Sequence, residues 1–121
     1  MRKWVLAVSM IAAMPVAAQA ADAEAGKTVF NKCKACHQIG ATAKNAVGPQ
    51  LNGIVGRAAG AADGFNYSDA MKASGKTWDE ATLKAYLADP KATVPGNKMV
   101  FMGIKDAADL DNLVEYLKTA K

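Results

Sequence analysis

Five consecutive positions, Cys33-Lys34-Ala35-Cys36-His37, hold both cysteines and the single histidine of this 121-residue sequence. Two thiols three positions apart, with an imidazole directly after the second, suit the covalent attachment of a c-type haem. Each sulfur adds to a haem vinyl group and the imidazole ligates the iron from one face. A structural zinc site takes four Cys or His ligands, and these two residue types number three here. A C-x-x-C redox pair belongs to a βαβ setting, which this pattern does not offer.

Haem of this type is attached outside the cytoplasm, and the N-terminus reads as an export address. Arg2 and Lys3 form a short positive region, Trp4 to Ala13 is mostly apolar, Pro15 breaks the run, and Ala18-Gln19-Ala20 is a small-residue cleavage site. The apolar stretch is too short to span a bilayer. Residues 1–20 are therefore expected to be a secretory signal peptide cleaved after Ala20, leaving residues 21–121 as one periplasmic domain without stable membrane insertion. A domain of 101 residues buries about two-thirds of its unfolded surface, and an apolar haem would extend its core. Net charge is +4 over the whole chain; Arg2 and Lys3 leave with the signal, so the domain carries +2. That balance argues against nucleic acid, which calls for a concentrated basic stripe.

Several elements must position the motif. From Ala23 to Cys36 the residues Gly26, Val29, Phe30, Cys33 and Cys36 recur at helical spacing on one face. Residues 38–57 are glycine-punctuated loop, and the Pro49 carbonyl is a candidate acceptor for the second ring N–H of His37. Ser68 is placed to N-cap a short helix over Asp69 to Ser74, with Gly75 to stop it. Thr77 and Glu80 form a T-x-x-E capping pattern for a helix that carries Leu83, Tyr86 and Leu87 and ends at Asp89-Pro90. Asp106 opens a last helix with an apolar stripe of Leu110, Leu113, Val114 and Leu117, closed by Lys118 and Lys121. The expected class is all-α, with three main helices, one short one and long loops of the kind that wrap a cofactor.

The iron's sixth position decides the function. With no second histidine, methionine is the natural supplier. Met71 lies within the short helix, whereas Met99 and Met102 lie in the loop between the last two helices, and spacing does not choose between these two.

Taken together, CKACH at 33–37, GPQLNGIVGR at 48–57, GFNYSDA at 64–70, TWDEATLKAYLADP at 77–90 and PGNKMVFMGI at 95–104 resemble class I cytochrome c. The likeness is greatest to bacterial relatives of the mitochondrial protein and covers residues 23–120. It implies the class I cytochrome c fold around one covalent haem c, bound through Cys33 and Cys36. Within P-G-x-K-M it selects Met99 as the partner of His37 on the iron. It assigns the Pro49 carbonyl to the histidine, and Arg57, Tyr67 and Trp78 to the surroundings of the propionates. Tyr86 is assigned to the methionine sulfur, and Phe101 to the haem edge. Gly26 and Phe30 are implied to pack across Leu113 and Tyr116. The chain departs from the common pattern at Asn97, where threonine is usual, and at Met71, where asparagine is usual.

The function so implied is that of a soluble periplasmic one-electron carrier shuttling between membrane-associated redox complexes, not an enzyme, and a monomer. The donor would be of the cytochrome bc1 type and the acceptor a terminal oxidase or reductase. Lys32, Lys34, Lys91, Lys98 and Lys105 flank the attachment helix and the methionine loop, which suits partners with acidic docking faces. The alternative is a small haem peroxidase or gas-binding haem protein with a labile sixth ligand.

Overall fold

The computed structural model describes residues 20–121; residues 1–19 of the expected signal peptide lie outside the described residues. Five helices run in the order α1 (Ala23–Val29), α2 (Asp69–Ala73), α3 (Glu80–Ala88), α4 (Pro90–Thr93) and α5 (Ala107–Thr119), with a 3₁₀ turn at Phe30–Lys32 directly after α1. Among the described residues the only β pairing is a single antiparallel bridge between Ala58 and Thr77. No described helix is long and apolar enough to cross a membrane.

The frame is the crossing of α1 and α5. Asp22 caps α1 by accepting from the Glu24 N–H at 2.9 Å, and its own N–H donates to Asn112 Oδ1 at 2.8 Å, tying the start of α1 to α5. Gly26 sits at the crossing, where a β-carbon would meet the Asn112 backbone and lie 2.8 Å from Tyr116 Cβ. Phe30, 3 % exposed, packs on Tyr116 with ring centroids 5.5 Å apart. On α5 the stripe behaves as its spacing predicts: Leu113 and Val114 are 0 % exposed and Leu117 is buried.

Three local expectations are corrected. The helix expected to reach Cys36 ends as α-helix at Val29 and tightens into the 3₁₀ turn. Beyond it the N–H groups of Cys36 and His37 both turn back to the Cys33 carbonyl, at 3.1 and 2.9 Å, while the Cys36 carbonyl accepts from Gly48. The bond from Gly48 keeps the chain from resuming helix beyond Cys36. The cap of α3 is Asp79, accepting from the Thr82 N–H at 2.8 Å, in place of Thr77. Thr77 is drawn into the bridge with Ala58, and Trp78 N–H donates to the Arg57 carbonyl at 2.9 Å. Finally, α3 does stop before Pro90, but Pro90 opens the unexpected α4, since a first helical position needs no N–H. Asp89 caps it by accepting from Ala92 at 3.1 Å.

The long segment between Gln38 and Tyr67 is held by side chains where helix or sheet would otherwise do it. Asn52 exchanges two hydrogen bonds with the Gly40 backbone, at 2.9 and 2.8 Å. Asn45 bridges the Asp63 carbonyl and the Gln50 N–H, at 2.8 and 3.0 Å. Such pairing satisfies backbone groups that a structureless loop would leave open.

Candidate functional site

The buried apolar residues enclose a cleft with about 1330 Å³ of space free of protein atoms, its open mouth included. Its walls come from the turn after α1, the loops, α2, α3 and α5. Phe30, Ile54, Met71, Leu83, Leu87, Leu113 and Leu117 are shared between the hydrophobic core and the lining. All ten residues expected at the site lie around it: Cys33, Cys36, His37, Pro49, Arg57, Tyr67, Trp78, Tyr86, Met99 and Phe101.

At one wall the turn over residues 33–37 presents both thiols, which are free rather than paired. Burial, with Cys36 beside it, pushes the Cys33 thiol up to about 11 against the opposing pull of Lys32. His37 Nδ1 donates to the Pro49 carbonyl at 2.8 Å. Burial lowers the His37 pKa, Pro49 opposes that and Arg57 adds to it, so the neutral ring is favoured. With Nδ1 occupied, Nε2 keeps the lone pair a metal needs. Gly48 makes room for this arrangement: a β-carbon there would collide with the imidazole, 2.7 Å from Nδ1 and 2.9 Å from Nε2.

The methionine loop contributes a second soft donor. Met99 lines the cleft, and Tyr86 Oη donates to its Sδ at 3.9 Å. Met102 is 82 % exposed and outside the lining, which separates two candidates that spacing left equal. Tyr86, 7 % exposed, stacks obliquely on Trp78 with centroids 4.8 Å apart, and burial pushes its phenol up to about 12.

Polar groups also border the cleft. The Arg57 guanidinium donates to the carbonyls of Asn52 and Gln50, at 3.3 and 3.0 Å, while its Nε is buried with no partner among the described residues. Burial lowers the Arg57 pKa, against the opposing pull of Tyr67, and a guanidinium keeps its charge in proteins. Tyr67 Oη accepts from the Ala62 N–H at 3.0 Å and retains its own proton for donation. A cationic group and a phenol bordering an apolar cleft suit a planar apolar ligand with carboxylates at one edge. Together with two thiols, a neutral imidazole and a thioether, that set fits a c-type haem.

Sequence reasoning noted Asn97 only as a departure from the family pattern and gave it no role; it also lines the cleft. Its side chain bonds the Pro90 and Val94 carbonyls and accepts from the Met99 N–H. The available signal was its place after Pro95-Gly96, since asparagine in turns bonds back to nearby backbone. Lys32 and Lys98 reach the lining, while Lys34, Lys91 and Lys105 are exposed elsewhere and Lys105 Nζ donates to the Ala88 carbonyl at 2.6 Å.

Comparison with known proteins agrees with this geometry. Residues 23–121 match the family model described as Cytochrome c. Cytochrome c-550 of Nitrobacter winogradskyi is 62% identical over 96 residues, which is 79% of this chain and 88% of that protein. Cytochrome c2 of Blastochloris viridis is 49% identical over 118 residues, 98% of this chain and 93% of that one. Among solved structures, cytochrome cH from Methylobacterium extorquens superposes with a TM-score of 0.77 at 56% identity, covering 81% of this chain and 98% of its own.

Proposed function

Because the chain belongs to the class I cytochrome c family, as a bacterial member carrying covalent haem c, we propose that it is a soluble one-electron carrier of the periplasm in which His37 and Met99 would hold the haem iron. The observation that carries this reading is that His37 and Met99 line one apolar cleft while Met102 faces solvent. Bound haem c supplies a reversible one-electron change at its iron. The protein's part is to hold, orient and insulate. Cys33 and Cys36 are the attachment thiols. The Pro49 carbonyl fixes the His37 ring and keeps Nε2 directed at the metal. Tyr86 supports the Met99 sulfur, and Arg57, Tyr67 and Trp78 receive the carboxylate end. Phe101 covers the edge. With His37 and Met99 both holding the iron, a bound haem would offer no open site to a substrate, which is what would separate a carrier from a peroxidase or gas-binding protein.

Export and removal of residues 1–20 follow from the charged, apolar and small-residue order of that segment. Lys32 and Lys98 line the cleft and are exposed, which supports brief docking on acidic faces of a bc1-type donor and of a terminal oxidase or reductase. A pair of variants tests the ligand assignment. Met99→Ala is expected to open the iron to added ligands and Met102→Ala to leave it closed; the reverse outcome would reassign the loop.

A further inference from the structure

Met99 sits in a segment with little to hold it. Downstream, the Ile104 N–H donates to the Leu87 carbonyl at 2.8 Å and Lys105 to that of Ala88, which pins the loop to the end of α3. Between these ties and Asn97, residues 98–103 make two hydrogen bonds to the rest of the described residues. One is Tyr86 Oη to Met99 Sδ, and the other is the Met99 N–H to Asn97 Oδ1 at 2.9 Å. The backbone of Met99 is therefore anchored through one side chain.

That side chain is itself well anchored. Val94-Pro95-Gly96-Asn97 is a tight turn, with Gly96 at φ +84° and the Asn97 N–H donating to the Val94 carbonyl at 3.2 Å. This is the conformation that wants proline second and glycine third. Delivered by the turn, Asn97 Nδ2 donates to the carbonyls of Pro90, at 2.9 Å, and Val94, at 2.8 Å. Pro90 and Val94 are both buried, so the carboxamide ties Met99 to a fixed point in the core.

We propose that Asn97 is the positioning residue for the Met99 sulfur: its carboxamide connects the Met99 backbone to the buried start and end of α4 and resists departure of the sulfur from the iron. The inference rests on Met99 being the iron ligand. Only a carboxamide has two N–H donors and an acceptor on one planar group. A serine or threonine hydroxyl has one donor and cannot serve both carbonyls, and an aspartate would turn carboxylate oxygens toward them.

The test is an imidazole titration of the ferric holoprotein, followed in the Soret region and at the long-wavelength iron–methionine charge-transfer band, with thermal unfolding measured in parallel. Imidazole competes with the sulfur, so its affinity reports how firmly Met99 is held. Loss of these hydrogen bonds in Asn97→Ala is expected to raise imidazole affinity on the order of ten- to hundredfold, with a weakened band. Asn97→Ser, which keeps one donor and an acceptor, is expected to fall between Asn97→Ala and the parent. Met99→Ala should bind imidazole most tightly and lack the band. An Asn97→Ala protein that unfolds at lower temperature but binds imidazole as the parent does would overturn the inference and leave the ligand assignment standing. A Met99→Ala protein that keeps both the band and the parent's affinity would overturn the assignment and the inference with it.

Discussion

Replacing Gly26 by alanine sets two physical effects of opposite sign against each other. In an isolated helix the change stabilises by about 1 kcal/mol, because alanine restricts the unfolded chain and suits the helix. Gly26 of α1, however, is buried against α5, and the new β-carbon would lie 2.8 Å from Tyr116 Cβ and 2.5 Å from the Asn112 carbonyl carbon. Ordinary contact between carbons is about 3.5–4.0 Å, and the opposing atoms are close to or part of the α5 backbone. The helices must therefore separate by roughly 1 Å, which loosens the Phe30–Tyr116 contact and the bond from Asp22 to Asn112. Overpacking of this kind costs about 1–3 kcal/mol, and a rigid partner puts it at the upper end. The net is about 2 kcal/mol of destabilisation. For a domain of this size each kcal/mol moves the midpoint by about 4–8 °C, so Gly26→Ala should lower the Tm of the ferric holoprotein by about 8–16 °C. Thermal unfolding followed by far-ultraviolet circular dichroism measures it. A Tm that holds or rises would mean that helix propensity outweighs the crossing, and that α1 and α5 are not locked through this glycine.

Gly48→Ala drives a β-carbon into the His37 ring and should break the 2.8 Å bond to Pro49; a ferric spectrum with a high-spin component is expected, and an unchanged spectrum would contradict the steric account. Tyr86, pushed by burial from its ordinary value of 10 up to about 12, binds its proton more tightly folded than unfolded. Its contribution to stability is complete below pH 10 and is lost as pH rises toward 12, so the stability difference between the parent and Tyr86→Phe should shrink over that interval, with the buried phenol's ultraviolet titration near its upper end. Electron-transfer rates to an acidic redox partner should fall as ionic strength rises, and Lys98→Gln should reduce both the low-salt rate and its salt slope; a flat salt profile would remove the steering claim.

Legibility from sequence followed the range of the interactions. The attachment motif is contiguous, the α5 stripe is periodic over two turns, and Ser68 caps α2 by accepting from the Met71 N–H three residues on, at 3.0 Å; all three are local and readable. Asp79 displaced Thr77 as the cap of α3 because a bridge to Ala58, distant in sequence, took Thr77 away. The helix expected through Cys36 ends at Val29, where the chain tightens into a 3₁₀ turn whose Cys33 N–H bonds back to Phe30. The α4 turn was missed because Pro90 was read only as a stop. Arg57, Tyr67, Trp78 and Phe101 carry no periodic signal of function; resemblance nominated them, and only the folded chain brings them around one cleft. Asn97 stood out in sequence only as a departure, because its role lies in three backbone groups that its side chain reaches.

The central claim is an iron closed by His37 and Met99, and the most direct measurement is the absorption spectrum of the ferric holoprotein followed by addition of carbon monoxide to the ferrous form. The account predicts the weak long-wavelength iron–methionine band and no carbon monoxide binding. Absence of the band with ready carbon monoxide binding would contradict it and leave an open haem suited to peroxidase or gas-binding chemistry.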